Sequence, residues 1–189
     1  MKEVKRYSLI NKISKAYPKK SCVKLINWFE KNKHLAEKGM GGDYFLNNLE
    51  ICLNLKNKKD YYDLDTTIIN SIKKFKEQYP EINTKLKPWG IDNQIQLMKF
   101  EPGKFYGKLH CENDGTPSVS QRVFAWMIYL NDIEKGGGTE FPYQKVKTKA
   151  IAGDFYIWPA YWSHFHKGIK APKEYKYLLT GWASYLPLH

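Results

Sequence analysis

A histidine and a glutamate lie two residues apart in the stretch LHCENDG, at His110 and Glu112. On an extended strand, residues i and i+2 face the same side, so this pair can offer an imidazole nitrogen and a carboxylate oxygen to one cation. One further protein ligand would leave several octahedral positions open, which suits non-haem Fe(II). Zinc bound by two histidines and one glutamate is the competing interpretation. For an isolated His-x-Glu, a surface pair without metal is the commoner case.

Two later histidines, His164 and His166, are the candidates for that further ligand. They follow the strand-like segment GDFYIWP, within PAYWSHFHKG. Cys111 lies between the first two candidates and would point to the opposite face of a strand. We therefore interpret Cys111 as a buried small residue rather than a ligand.

Lys176 opens the aromatic-rich segment KYLLTGW. Burying an ammonium group without a partner is costly, so a lysine at the head of an inner strand indicates a carboxylate beside it. The carboxylate of a cosubstrate bound next to the metal would meet that need. The alternative is a lysine at a strand end whose ammonium group reaches water.

Short extended segments separated by turn signals occupy the chain from about residue 93. They are NQIQLMKF, GKLHCE, RVFAWMIYLN, TEFPY, GDFYIWP, SHFHKGI and KYLLTGWASYL. Because no helical pattern lies between them, they predict an antiparallel sandwich or barrel. The N-terminal half is predicted to be helical with loops. One helix has Ser21 as its N-cap, a second runs from about Asp65 to Pro80, and GMGGDYF is a flexible joint between them.

The formal net charge is +12, from 31 lysines and arginines against 19 acidic residues. A basic surface can attract nucleic acid. However, the only arginines are Arg6 and Arg122, and arginine is the better bidentate partner of phosphate. The lysines are also spread along the chain, so a solvated surface is the favoured interpretation.

The cysteines are Cys22, Cys52 and Cys111, with no CxxC spacing. An odd number without a disulfide pattern favours a reducing, cytoplasmic compartment. No uncharged apolar run approaches the roughly 18 residues that a membrane span needs, so no membrane association is expected. The abundance of Lys, Asn and Ile is typical of a virus or of a bacterium with an AT-rich genome.

Several ordered segments of the C-terminal half resemble the catalytic domain of the Fe(II)/2-oxoglutarate-dependent dioxygenases, in the prolyl 4-hydroxylase-like branch. They are FEPGKFYGKLHCE, RVFAWMIYLND, KGGGTEFP, AGDFYIWPAYWSH and KYKYLLTGW. The resemblance covers roughly residues 93–185 and implies a double-stranded β-helix, or jelly-roll, core. We therefore predict a mainly β fold with N-terminal helices (α+β). Residues 1–92 would be a helical support and residues 93–189 the core of one compact unit.

The resemblance also implies roles for individual side chains. The implied metal ligands are His110, Glu112 and His164, with His166 as the alternative to His164. Glu112 stands where an aspartate is usual. The interval to Lys176 favours His166, whereas the interval from Gly153 favours His164, which we prefer. Lys176 would bind the far carboxylate of 2-oxoglutarate.

Arg122, His166 and Trp182 are expected near the substrate or beside the metal ligands. For Arg122, a structural ion pair is an equal alternative. Candidate walls of the pocket are the aromatic residues Trp126, Trp158, Tyr161 and Trp162.

The activity implied by the resemblance is hydroxylation of a protein or peptide side chain, with proline as the first candidate. It requires Fe(II), 2-oxoglutarate as cosubstrate and O2, with ascorbate as a further candidate cofactor, and it releases succinate and CO2. Two alternatives stay open. One is an oxygenase acting on nucleic acid or on a free small molecule, and the other is a non-catalytic metal-binding jelly-roll module.

Overall fold

A computed structural model of the chain describes residues 8–38, 48–55 and 63–187. Its helices are α1 (Lys19–Lys31), α2 (Leu64–Gln78) and α3 (Glu81–Thr84). Its strands are β1 (Asn11–Ile13), β2 (Glu37–Lys38), β3 (Asn48–Asn54), β4 (Trp89–Ile91), β5 (Gln94–Phe100), β6 (Arg122–Tyr129), β7 (Thr139–Phe141), β8 (Val146–Lys147), β9 (Phe155–Pro159), β10 (Lys167–Gly168) and β11 (Lys176–Tyr185). The predicted joint GMGGDYF lies outside the described residues.

Helix α1 buries one apolar face, formed by Cys22, Leu25 and Phe29. Its N-cap is Pro18, and the Ser21 amide donates to the Pro18 carbonyl at 2.8 Å. The predicted cap at Ser21 is therefore wrong. Proline has no amide hydrogen to leave unpaired, so the helix can begin directly after it.

Helix α2 buries Ile68, Ile72 and Phe75 at helical spacing and ends at Gln78. The helix ends there because Pro80, two residues on, disfavours helical geometry in the residue before it. The predicted second helix is confirmed. None of the helices in the described ranges has the length and apolar content that a membrane span requires.

The strands form two antiparallel sheets. In the described part of the chain, the larger sheet has eight strands in the order β1-β9-β6-β11-β5-β3-β2, with β4 paired to β11. The smaller sheet has three strands in the order β10-β7-β8. The predicted strand RVFAWMIYLN is the buried strand β6, and KYLLTGWASYL is β11, which hydrogen-bonds to β4, β5 and β6.

Strands from the N-terminal half extend both edges of the larger sheet. Strand β1 pairs with β9, and β3 pairs with β5 along a register from Asn48↔Phe100 to Asn54↔Gln94. The prediction that this half is only helical with loops is therefore wrong. Short edge strands such as β1 gain their stability from the neighbouring strand rather than from their own sequence pattern. The division of the chain at residue 92 stays a prediction.

The larger sheet has a different core on each face. Alternate residues of β6 face opposite sides: Phe124, Trp126 and Ile128 pack in the cluster that contains the α1 and α2 side chains. Ala125, Met127 and Tyr129 pack instead in a second cluster, which includes Phe141 of the smaller sheet. The second cluster is therefore the interior between the two sheets.

A glycine turn fixes the smaller sheet in place. Gly136 has a φ of +80°, and a Cβ at this position would collide with the Lys170 carbonyl oxygen. Only glycine meets both conditions without strain. The turn can therefore approach the Ile169–Lys170 backbone closely, which lets β7 pair with β10 just after His166.

Candidate metal centre

Three side chains converge on one point: His110, Glu112 and His166. One potential ligand atom from each lies within 4.8 Å of the others. The Nε2 atoms of His110 and His166 lie 3.5 Å and 3.3 Å from Oε1 of Glu112. Within the described ranges, no second group of three metal-ligating side chains meets this criterion.

Backbone hydrogen bonds place these three residues. His110 and His166 face each other in an antiparallel bridge, with N–H···O distances of 3.0 and 2.8 Å. The Glu112 amide donates to the Ala160 carbonyl at 3.0 Å, just beyond the end of β9. Cys111 lies outside the cluster, and its half-buried thiol donates to the Asn113 carbonyl at 3.3 Å.

Hydrogen bonds on the far side of each imidazole fix its tautomer. Nδ1 of His110 lies 2.9 Å from the Lys108 carbonyl, and Nδ1 of His166 lies 3.0 Å from the His164 carbonyl. A carbonyl only accepts, so both Nδ1 atoms carry the hydrogen. In the neutral ring this leaves the Nε2 lone pair directed at the shared point, which is the arrangement of metal-binding histidines.

The structure places His164 away from this point. Its buried Nε2 donates to the Ser8 carbonyl at 2.9 Å, and Nδ1 lies 3.0 Å from the Ser163 hydroxyl, which donates to it. Burial lowers the pKa of His164, in keeping with a neutral ring. Both nitrogens are therefore occupied. The preference for His164 as the ligand is corrected to its alternative, His166, whose Nε2 lies 3.3 Å from Oε1 of Glu112.

The carboxylate of Glu112 is held at both oxygens. Oε1 faces the two imidazoles, whereas Oε2 accepts a hydrogen bond from Nε1 of Trp182 at 2.7 Å. Arg122 stacks on the Trp182 ring at 3.7 Å and reaches Oε2 at 3.6 Å. Burial raises the pKa of the Glu112 carboxyl, but the hydrogen bonds and positive charge that the His110 and His166 rings provide when protonated at both nitrogens outweigh it, so the pKa lies well below its usual range. The group therefore stays anionic and can bind a cation.

Trp182→Phe is expected to weaken metal binding about tenfold, because a ligand that loses its supporting hydrogen bond is less well oriented. The measurement is an anaerobic Co(II) titration. Trp89→Phe is a matched control, since the Trp89 indole also donates a hydrogen bond, at 3.0 Å to the Ile82 carbonyl, but not within the cluster. Equal affinity in the two variants would contradict the role of Trp182.

Lys176 is a buried ammonium group with no anionic partner among the described residues. It is 3% exposed, and its Nζ lies 4.7 Å from the centre of the Phe100 ring. Burial lowers its pKa to about 8. Lys176 shares a face of β11 with Leu178, whose partner across the strands is Tyr129, so it belongs to the interior between the sheets. The alternative of a lysine that reaches water is therefore wrong.

Residues not predicted for the site also contact it. The Tyr106 ring lies 4.4 Å from that of His110, and Phe141 lies 5.2 Å from His166. The Tyr129 hydroxyl, deep in the interior, is hydrogen-bonded to Thr139 and Thr148 at 3.0 and 2.7 Å. Tyr129 and Phe141 lie in apolar strands, a signal that does not distinguish a site from a plain core, and Tyr106 lies outside the strands.

The four predicted aromatic walls separate into different places. Trp158 packs against His166 at 5.0 Å, as expected. Trp126 instead stacks on Phe155 in the core on the helix side, and Trp162 is 71% exposed. Tyr161 lines an apolar cavity of about 240 Å³ beneath α2 and α3. Only Trp158 is therefore in contact with the cluster in the way the prediction required.

The donor set of two imidazole nitrogens and one carboxylate oxygen fits a divalent transition metal. Nitrogen and oxygen donors of this kind suit Fe(II) in a facial arrangement and also suit Zn(II). The buried Lys176 ammonium adds a feature that a purely structural zinc site does not need.

Comparisons with known proteins agree with this geometry. The model of the 2OG-Fe(II) oxygenase superfamily matches residues 95–184. A probable prolyl 4-hydroxylase 9 from Arabidopsis thaliana is 28% identical over 71 residues, which span 36% of this chain and 25% of the plant protein.

Solved structures show the same fold. The viral collagen prolyl hydroxylase of Paramecium Bursaria Chlorella virus-1 has a TM-score of 0.72 at 18% identity, covering 95% of this chain and 97% of that one. A Trichoplax adhaerens prolyl hydroxylase, in complex with a peptide fragment of the hypoxia inducible factor oxygen degradation domain, has a TM-score of 0.70 at 12% identity, covering 93% and 83%. The predicted double-stranded β-helix is thereby confirmed. Residues 95–184 match the 2OG-Fe(II) oxygenase superfamily, and 71 residues of the chain are similar to a probable prolyl 4-hydroxylase.

Proposed function

We propose that this protein is an Fe(II)- and 2-oxoglutarate-dependent dioxygenase that hydroxylates a protein or peptide side chain, most readily a prolyl residue, with release of succinate and CO2. The observation that carries the proposal is the pairing of two features in one domain. The His110–Glu112–His166 cluster offers metal ligands, and Lys176 is a buried cation that lacks an anionic partner in the described part of the chain.

The chain's own residues would bind and orient the reactants. His110, Glu112 and His166 would hold Fe(II) by three donor atoms and leave the remaining positions to ligands. Trp182 and Arg122 fix the carboxylate so that Oε1 stays directed at the metal position. Lys176 would pair with the far carboxylate of 2-oxoglutarate. Bound iron supplies the activation of O2 that drives oxidative decarboxylation and C–H hydroxylation.

The interior between the sheets is suited to a dianionic cosubstrate. Phe100, Phe141 and Trp158 exclude water from it, which strengthens a charge pair formed there. The Tyr129 hydroxyl lies on the same inner face as Lys176 and is buried beside Thr139. A carboxylate entering this region would meet both a positive charge and a hydroxyl.

The peptide substrate is supported by what the similar proteins are described as. The plant and viral proteins are named as prolyl hydroxylases, and the Trichoplax protein was solved with a peptide. We infer a prolyl peptide for this chain from those similarities together with its own cluster of metal-ligating side chains, not from a substrate contact.

The test is turnover with a set of proline-containing peptides in the presence of Fe(II), 2-oxoglutarate and O2. We expect succinate to form together with a peptide heavier by one oxygen atom. His110→Ala is the inactive control, because it removes one ligand of the cluster.

Two outcomes would contradict parts of the proposal. Failure to form succinate although Fe(II) binds would favour the non-catalytic metal-binding module. Succinate without peptide oxidation would redirect the search to small molecules or to nucleic acid. The net charge of +12 is the reason to test nucleic acid as a substrate. If the protein binds nucleic acid through its basic side chains, its affinity should fall steeply as the salt concentration rises.

A further inference from the structure

His164 joins the N-terminal segment to the turn that precedes His166. Its side chain is buried, with 4% of the residue exposed. Nε2 donates to the Ser8 carbonyl at 2.9 Å, and Nδ1 accepts from the Ser163 hydroxyl at 3.0 Å. The Ser8 carbonyl can only accept, so it selects the tautomer with hydrogen on Nε2, and Nδ1 of that tautomer can accept from the Ser163 hydroxyl. The two hydrogen bonds therefore support each other.

The turn itself is weakly held by other means. It is a three-residue 3₁₀ turn, Trp162–His164, closed by one backbone hydrogen bond from His164 to Tyr161 at 2.9 Å. Trp162 is 71% exposed and contributes little burial. The side-chain amide of Gln144 donates a hydrogen bond to the Ser163 carbonyl at 2.7 Å, which is a second contact that holds the turn. With so little buried apolar surface, the position of the turn depends on such side-chain hydrogen bonds.

The carbonyl of His164 is the group that orients His166. It accepts the hydrogen bond from Nδ1 of His166 at 3.0 Å. A shift of the turn would move this acceptor, and the His166 ring would lose the contact that leaves its Nε2 lone pair directed at Glu112. The backbone bridge to His110 fixes the main chain of His166 but not the rotation of its ring.

We propose that His164 is a positioning residue for the metal-binding ring of His166. By fastening the Trp162–His164 turn to Ser8, its side chain holds the turn's last carbonyl where it orients His166. The inference rests on the proposed metal site. It gives His164 a role without metal contact and makes the segment at Ser8 part of the support of that site.

The test compares two substitutions of His164 in the full-length chain by anaerobic Co(II) titration, read from the visible absorption of the bound metal. His164→Leu removes both ring nitrogens. We expect about tenfold weaker Co(II) binding and an altered spectrum, which is the smaller end of the effect usual when a residue that supports a metal ligand is lost. His164→Gln keeps an N–H donor near the position of Nε2. We expect it to bind within about threefold of the wild type, with the wild-type spectrum.

A control separates support of the metal site from general stability. Tyr177→Phe removes a hydrogen bond of 2.6 Å to Glu30, which ties β11 to α1 outside the cluster. It should lower the unfolding midpoint without changing Co(II) affinity or spectrum. If His164→Leu does not fold, Ser163→Ala is the second variant, with an expected loss of about threefold.

The outcomes distinguish this inference from the proposed function. Wild-type affinity and spectrum in both His164→Leu and Ser163→Ala would overturn the positioning role while leaving the oxygenase intact. An equal loss in His164→Leu and His164→Gln would also overturn it, because the donor would then be irrelevant. A wild-type protein that binds no Co(II) would overturn both the positioning role and the metal site.

Discussion

Replacing His166 with alanine is expected to reduce metal affinity by more than about a hundredfold, beyond the range typical of residues that only support a ligand. The reason is that His166 supplies one of the three atoms that converge within 4.8 Å. His164→Leu, two residues earlier, should weaken metal binding only about tenfold, because it changes the orientation of the His166 ring and not the number of ligands. The pair of variants therefore separates a ligand from its support.

The measurement is anaerobic Fe(II) or Co(II) titration of both variants, alongside unfolding midpoints. His166→Ala should fold, since its backbone bridge to His110 uses main-chain atoms only. If His164→Leu were to abolish binding while His166→Ala retained most of it, the ligand assignment would return to His164. Small and equal losses of metal affinity in the two variants would instead contradict the assignment of this cluster as a metal site.

The convergence of two of the three ligands, His110 and Glu112, was predictable from their spacing. His110 and Glu112 do point to one place, although only His110 has a strand-like bridge and the residues after it form no regular strand. The i, i+2 rule therefore gave the correct geometry from a local extended conformation. Arg122 and Trp182 also lie beside Glu112, as expected, and their contact with its Oε2 is a detail that spacing could not supply.

The choice between His164 and His166 could not be made from the sequence. It depends on where the 3₁₀ turn ends and on which residue pairs with His110, and both are set by contacts with distant segments. Ser8 and Gln144 hold the turn, and neither is marked by any motif. The same reason explains the missed strand β3, whose place is decided by its pairing with β5.

Replacing Lys176 with methionine should stabilise the ligand-free protein and at the same time abolish tight binding of 2-oxoglutarate. A buried lysine whose pKa falls from 10.5 to about 8 is less stable in its charged form by about 3 kcal/mol. Methionine has a similar length and no charge, so up to about that amount should be recovered at pH 7. The loss of cosubstrate affinity follows because the positive partner for its far carboxylate is removed.

The pH dependence has a definite sign. Between pH 8 and 10.5 the unfolded chain keeps a proton on Lys176 that the folded chain has released. The Lys176 contribution to the free energy of unfolding therefore rises with pH through this window and is constant below it. Other groups titrate in the same range, so the quantity to measure is the difference between the wild type and Lys176→Met in urea unfolding. Their stabilities should converge as the pH rises from 7 to 10.

A carboxylate bound beside Lys176 should reverse this behaviour. With metal and saturating 2-oxoglutarate, the ammonium group gains a partner, its charged form is favoured, and the wild type becomes the more stable protein at pH 7. Lys99→Met is the matched control: Lys99 lies on β5 with its ammonium 2.7 Å from Glu30, so its loss should destabilise the fold without changing 2-oxoglutarate affinity. If Lys176→Met weakened metal and 2-oxoglutarate binding equally, Lys176 would be a structural residue. A variant less stable than the ligand-free wild type would mean that the buried ammonium already has a partner within the protein.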